Sequence, residues 1–173
     1  MKKSIIPNLF TFANLSSGVV SLLCTVNGEY ISAAIAILCG ALIDRYDGRI
    51  ARMLDVSSDL GKELDSLADL VSFGVAPSML CYIVYSFNNF TVSNIIWILL
   101  LLIFPICGAY RLARYNTTDF DGVFTGIPIT VAGSILALLV ILSKYVAISS
   151  VVVVLIIAVL SYFMVSTIRF KKI

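Results

Sequence analysis

The sequence has no histidine, which excludes an imidazole-ligated metal and histidine acid–base catalysis. Cysteine is scarce. Cys24, Cys39, Cys81 and Cys107 stand singly in apolar stretches, without the close spacing of a thiolate metal site, and read as small packing residues. Charge is the most telling shortage. Only 13% of the 173 residues are charged, against roughly 25% in a soluble domain, and the charges come in blocks. Residues 4–28, 70–110, 122–143 and 145–168 carry none. A soluble core with such runs has too little polar surface to cover it. A helix crossing hydrocarbon needs about 20 mostly apolar residues, and these runs supply that. The net charge of +2 says little by itself, and no nucleic-acid partner is expected.

What is present is a series of apolar runs broken by short polar segments. They predict an all-α polytopic membrane protein with six transmembrane helices, one domain over residues 1–173. The spans are expected at residues 9–26, from Tyr30 through Leu42 into a polar stretch, from Gly61 to before Asn88, and at 93–113, 126–143 and 147–168. The second apolar run is short, so that helix either tilts or continues past Asp44. Lys2 and Lys3 before an apolar run resemble a secretory signal. Asn14, the internal serines and the lack of a small-residue cleavage site before Asn27-Gly28-Glu29 favour a retained span. Alternating six spans places every basic residue except Lys144 on one side, which the positive-inside rule makes cytoplasmic. Both termini are then cytoplasmic. The opposite side keeps only the short connections 27–30, 88–92 and 144–146, so chemistry on polar substrates is expected at the cytoplasmic face of the cell membrane.

The acidic residues have a pattern. Asp44 and Asp47 are three apart, and Asp65 and Asp69 are four apart, the spacings that share a helix face. Gly48, Ala51 and Arg52 fall on the Asp44 stripe, and Gly61 on the other. A short linker makes the two helices antiparallel neighbours with their acids at the same end. Four carboxylates at the edge of hydrocarbon repel one another and are costly to desolvate alone. Divalent cations relieve both problems. An oxygen-only donor set points to Mg²⁺ or Mn²⁺ rather than Zn²⁺, and four carboxylates suit two ions, the arrangement that stabilises both oxygens of a phosphoryl displacement. The small residues equally fit close helix packing. Arg52 equally fits a flanking positive charge, and Asp55, Asp59 and Glu63 read as a solvated acidic loop.

The stretch Asp44-x2-Asp47-Gly48-x2-Ala51-Arg52-x8-Gly61-x3-Asp65-x3-Asp69 resembles the signature of the CDP-alcohol phosphotransferase family at every fixed position. The resemblance implies that the four aspartates hold divalent metal and that Asp69 is the general base for the acceptor hydroxyl. It implies that Gly48, Ala51, Arg52 and Gly61 shape the cytidine-nucleotide pocket. The opening Pro7-Asn8-Leu9-Phe10-Thr11 and Asn14 also look typical of the family's first helix, which adds Thr11 and Asn14 to the donor side. The segments 65–77, 110–116 and 124–129 resemble the branch that joins CDP-diacylglycerol to L-serine. Arg111 and Arg114, with Asn116 and Ser66, are then candidates for binding phosphate or the acceptor. The resemblance further implies a homodimer among membrane lipids.

Other readings differ in what they need. An acceptor such as glycerol 3-phosphate or an inositol phosphate requires extra basic residues at the mouth, and Arg111 and Arg114 are available for that. A divalent-cation transporter requires acids near mid-membrane with a path to both faces, whereas these acids cluster at one end. For Arg111 and Arg114 the plain alternative is anchoring of a helix end by snorkelling.

Overall fold

The computed structural model describes the backbone of residues 5–54, 59–86, 94–117, 123–167 and 169–171, and the side chains of 8–46, 59–85, 94–117 and 126–167. Helix α1 (Ile5–Val26) has Pro7 in its first turn, where a missing amide donor is harmless. It ends where Gly28 takes a left-handed backbone (φ 80°) and the Glu29 amide reaches back to the Cys24 carbonyl at 2.8 Å, closing the helix end. Helix α2 (Tyr30–Leu54) then runs 25 residues without a break. The acids at 44 and 47 are therefore on the continuing helix rather than in a loop.

The next rod changes its winding midway. Helix α3 (Asp59–Asp69) passes into a π-helical turn (Leu70–Val75) and out into α4 (Ala76–Ser86). The Ala76 amide donates to the Val71 carbonyl, five residues back. A proline inside a helix lacks one backbone bond and crowds the carbonyl four residues earlier. Here the wide turn ends just before Pro77, so the ring falls in the first turn of α4 and the rod continues. Helix α5 (Asn94–Thr117) follows, then strand β1 (Val123–Thr125), helices α6 (Ile129–Leu142) and α7 (Ser150–Val165), and strand β2 (Arg169–Lys171).

The described residues are all-α apart from one short two-stranded ribbon. β1 and β2 pair antiparallel, with Val123 opposite Lys171, Phe124 opposite Phe170 and Thr125 opposite Arg169. Gly126 follows β1 with φ 74°. A Cβ there would lie 2.7 Å from the Met164 carbonyl oxygen, so only glycine lets the chain pass the end of α7. After this turn α6 starts at 129 rather than 126, and α7 stops at 165 rather than 168.

The six-span expectation is overturned. Among the described residues, three helices are long and apolar enough to cross a membrane: Asn8–Val26, Asp59–Tyr85 and Asn94–Thr117. Helices α6 and α7 have 14 and 16 residues. At 1.5 Å per residue they reach about 21 and 24 Å, short of the roughly 30 Å hydrocarbon core. The apolar runs at 126–143 and 147–168 extend beyond these two helices. In α2 the apolar run ends at Ile43, and Asp44 and Arg45 follow. The placement of both termini on one side rested on alternating six spans and falls with them.

The core is apolar and small-residue rich, with Ala33, Ala34, Phe73, Leu80, Phe104 and Leu136 all fully buried. The outward faces are also apolar: Leu23, Leu102, Ile106, Leu138 and Leu155 are exposed. Exposed apolar surface on this scale suits contact with lipid.

Candidate active site

The site lies where α1, α2, α3 and α5 meet. Asp44 comes from α2, and Asp65 and Asp69 come from α3, one turn apart. One carboxylate oxygen of each lies within 4.8 Å of the others. Asp69 is buried, only 8% exposed, while Asp44 and Asp65 are half-buried. The cluster thus grades from the helix interface towards the surface. Its donors are all hard oxygens, which is the set that Mg²⁺ or Mn²⁺ takes, and three negative groups this close fit a divalent cation. Asp47 lies one turn beyond Asp44 on α2. Its side chain, with those of Gly48, Ala51 and Arg52, lies outside the described residues. Gly61 is half-buried near the start of α3.

Helix α1 contributes a neutral partner. Asn14 is fully buried, and its Nδ2 donates to Asp69 Oδ1 at 3.0 Å. Thr11, one turn earlier on the same face, is 4% exposed. Helix α5 contributes Arg111, which is 8% exposed and close enough to Asp69 to attract it electrostatically. The Arg111 Nε is buried without a hydrogen-bond partner, so part of this guanidinium's donor capacity is unused by the protein.

The two arginines of α5, paired in the sequence, take different partners. Arg114 Nη1 and Nη2 donate to the carbonyls of Val165 and Ser166, at 3.1 and 3.4 Å, and its guanidinium lies 6.0 Å from the Tyr110 ring centroid. These bonds satisfy acceptors at the C-terminal end of α7. Asn116 turns towards α3, donating from Nδ2 to Ser66 Oγ at 3.0 Å and to Glu63 Oε1 at 3.2 Å. The expected acceptor-side residues Asn116 and Ser66 are thus brought together, on the α3–α5 seam.

Sequence reasoning missed the support beneath Asp69. Ser72, in the π-helical turn, donates to the Asn14 carbonyl at 2.8 Å. The turn is gripped from two sides. A Cβ at Gly18 of α1 would lie 2.8 Å from Ser72 Cα, and one at Gly133 of α6 would lie 2.8 Å from Phe73 Cα. The available signal was Gly74 and Pro77 following closely on Asp69, since prolines and π-bulges are where helices deviate.

Comparison with known proteins gives a consistent picture. The family profile described as CDP-alcohol phosphatidyltransferase matches residues 4–170. The CDP-diacylglycerol–serine O-phosphatidyltransferase of Bacillus subtilis is 40% identical over 135 residues, covering 78% of this chain and 74% of that protein. The Helicobacter pylori (strain 26695) protein of the same name is 36% identical, covering 80% of this chain and 59% of its own length. An archaetidylserine synthase from Methanothermobacter thermautotrophicus is 33% identical, covering 97% of this chain and 70% of that protein.

Proposed function

Since the chain belongs to the CDP-alcohol phosphatidyltransferase family and is a membrane transferase of phospholipid biosynthesis, we propose that it transfers the phosphatidyl group of CDP-diacylglycerol to the hydroxyl of L-serine, giving phosphatidylserine and CMP. The observation that carries this is the Asp44–Asp65–Asp69 cluster, with one carboxylate oxygen of each within 4.8 Å of the others. Serine as the acceptor is supported by the names of the bacterial and archaeal relatives.

In this reading the whole chain acts as one transmembrane domain. Asp69 takes the proton of the serine hydroxyl as its oxygen attacks the phosphorus bearing diacylglycerol, and the bond to CMP breaks. Asn14 donates to one oxygen of Asp69 and so orients its carboxylate. Asp44, Asp47, Asp65 and Asp69 would hold Mg²⁺ or Mn²⁺, two ions per site. When bound, such ions offset charge on the diphosphate and on departing CMP. Gly48, Ala51, Arg52 and Gly61, with Thr11, form the donor side, and Asn14, expected there from the sequence, reaches Asp69 from α1. On the acceptor side Arg111 is the better anion ligand, because the Arg114 guanidinium serves the end of α7. Ser66 and Asn116 complete that side at its rim.

The acids would face the cytoplasm. In support, Arg45 and Lys62 lie on the acid-bearing helices α2 and α3, and Arg111 of α5 lies near Asp69. Acyl chains would stay among the membrane lipids. A homodimer rests on the family resemblance.

The deciding experiment offers the purified protein CDP-diacylglycerol, Mn²⁺ or Mg²⁺ and one acceptor at a time, and measures CMP release. L-serine is expected to support turnover and EDTA to stop it. Turnover with glycerol 3-phosphate or an inositol phosphate but none with serine refutes the acceptor. Turnover in metal-free buffer refutes the metal site.

A further inference from the structure

Asn14 does more than line the site. Its Nδ2 bonds Asp69 across 55 positions of sequence. Its backbone carbonyl accepts two hydroxyls, Ser17 Oγ at 2.6 Å and Ser72 Oγ at 2.8 Å. Its side-chain oxygen lies against α2, where a Cβ on Gly40 would be 3.1 Å away. The amide thus packs closely against α2, with its oxygen buried and its Nδ2 bond to Asp69 as its side-chain hydrogen bond. Only one orientation of it suits an ionised carboxylate, the one with the NH₂ group facing Asp69.

The second tie comes from the same rod as Asp69. Ser72 stands three residues after Asp69, inside the π-helical turn. One residue of α1 thus holds the rod at two points, Asp69 by its side chain and Ser72 by its carbonyl. Gly18 of α1 packs against Ser72 and Gly133 of α6 against Phe73, each leaving less than 3 Å for a Cβ. A neutral amide also suits a base better than a lysine would. It fixes the carboxylate without neutralising the charge that must take a proton.

We infer that Asn14 is a positioning residue for Asp69, and that the Ser72 hydroxyl of the π-helical turn locks Asn14 in register. The inference deepens the function proposed above and rests on Asp69 acting as the acceptor's base. One oxygen of Asp69 is held so that the other meets the acceptor hydroxyl. Loss of that aim lowers the rate of the chemical step while leaving substrate affinity in place, and misplacement of about 1 Å can lower a rate by as much as 10²-fold.

The test compares wild type, Asn14→Ala and Ser72→Ala in detergent. It reads kcat and KM from CMP release, CMP affinity by calorimetry with Mn²⁺, and thermal unfolding. For Asn14→Ala, kcat is expected to fall about 10- to 100-fold, with serine KM and CMP affinity within about threefold of wild type. Ser72→Ala is expected to lower kcat about 3- to 10-fold in the same pattern. An Asn14→Ala kcat within about twofold of wild type overturns the inference. So does an unchanged kcat with CMP affinity weakened tenfold or more, which would make Asn14 a donor-pocket residue only. If Asn14→Ala does not fold, Ser72→Ala decides, and a wild-type kcat there refutes the lock. Turnover with another acceptor instead of serine refutes the acceptor assignment but leaves Asn14 testable on that acceptor. A wild-type protein that releases CMP with no acceptor refutes both.

Discussion

Asp69→Asn is expected to move activity and metal-free stability in opposite directions. Asp69 is buried, and a carboxylate oxygen of each of Asp44 and Asp65 lies within 4.8 Å of one of its own. At an effective dielectric constant of about 20, two unit charges at that separation repel by roughly 3.5 kcal/mol. Asparagine has nearly the same shape and no charge, so two such repulsions disappear, together about 7 kcal/mol. Against this stand the attraction to Arg111, weaker than either repulsion and so at most about 3.5 kcal/mol, and the charge-assisted part of the Asn14 bond, about 1–2 kcal/mol. The variant should then be more stable than wild type without metal by about 2 kcal/mol. For a chain of this size that corresponds to a rise in Tm of about 4–8 °C. With excess Mn²⁺ the order should reverse, because wild type gains more from binding the ion than the variant does. CMP release should fall at least 10³-fold throughout, since asparagine cannot take the acceptor's proton. Thermal unfolding in EDTA and in Mn²⁺, beside an activity assay, reads all three quantities. Turnover above about a tenth of wild type rules out Asp69 as the base. A lower Tm than wild type in EDTA refutes the picture of three crowded, charged carboxylates.

The arginines of α5 offer a paired comparison. Arg111→Ala should lower kcat/KM for the acceptor about 100-fold, because a buried guanidinium beside Asp69 is lost. Arg114→Ala should instead lose about 1–3 kcal/mol of stability, as two bonds to the end of α7 vanish. Equal kinetic losses in both variants would contradict this division, and steady-state kinetics with thermal unfolding separates them. Gly133→Ala should destabilise by about 1–3 kcal/mol through overpacking, since the added methyl meets the Phe73 carbonyl oxygen at 2.5 Å. An unfolding midpoint equal to wild type would show that the π-helical turn can give way.

The acidic cluster was legible in the sequence. Acids three and four apart on helices share a face whatever surrounds them, so Asp65 and Asp69 had to lie one turn apart. The lack of histidine and of paired cysteines determined an oxygen-only donor set just as directly. Hydropathy located the six helical rods seen among the described residues, because apolar runs and glycine breaks are local signals. It overestimated how many of them span, because it cannot tell a span from a shorter apolar helix flanked by turns. Gly126 and Pro128 looked like part of a fifth span, yet they carry the chain from β1 into α6. Which face of each helix meets its neighbour was decided only in the tertiary structure. Arg111 and Arg114 are three apart and look equivalent in sequence. Packing sends one towards Asp69 and the other to the end of α7. Likewise nothing local links Asn14 to Asp69 or Ser72. That link depends on how α1 is rotated against α3 and on the wider turn at Leu70–Val75, both set by contacts between helices far apart in the chain.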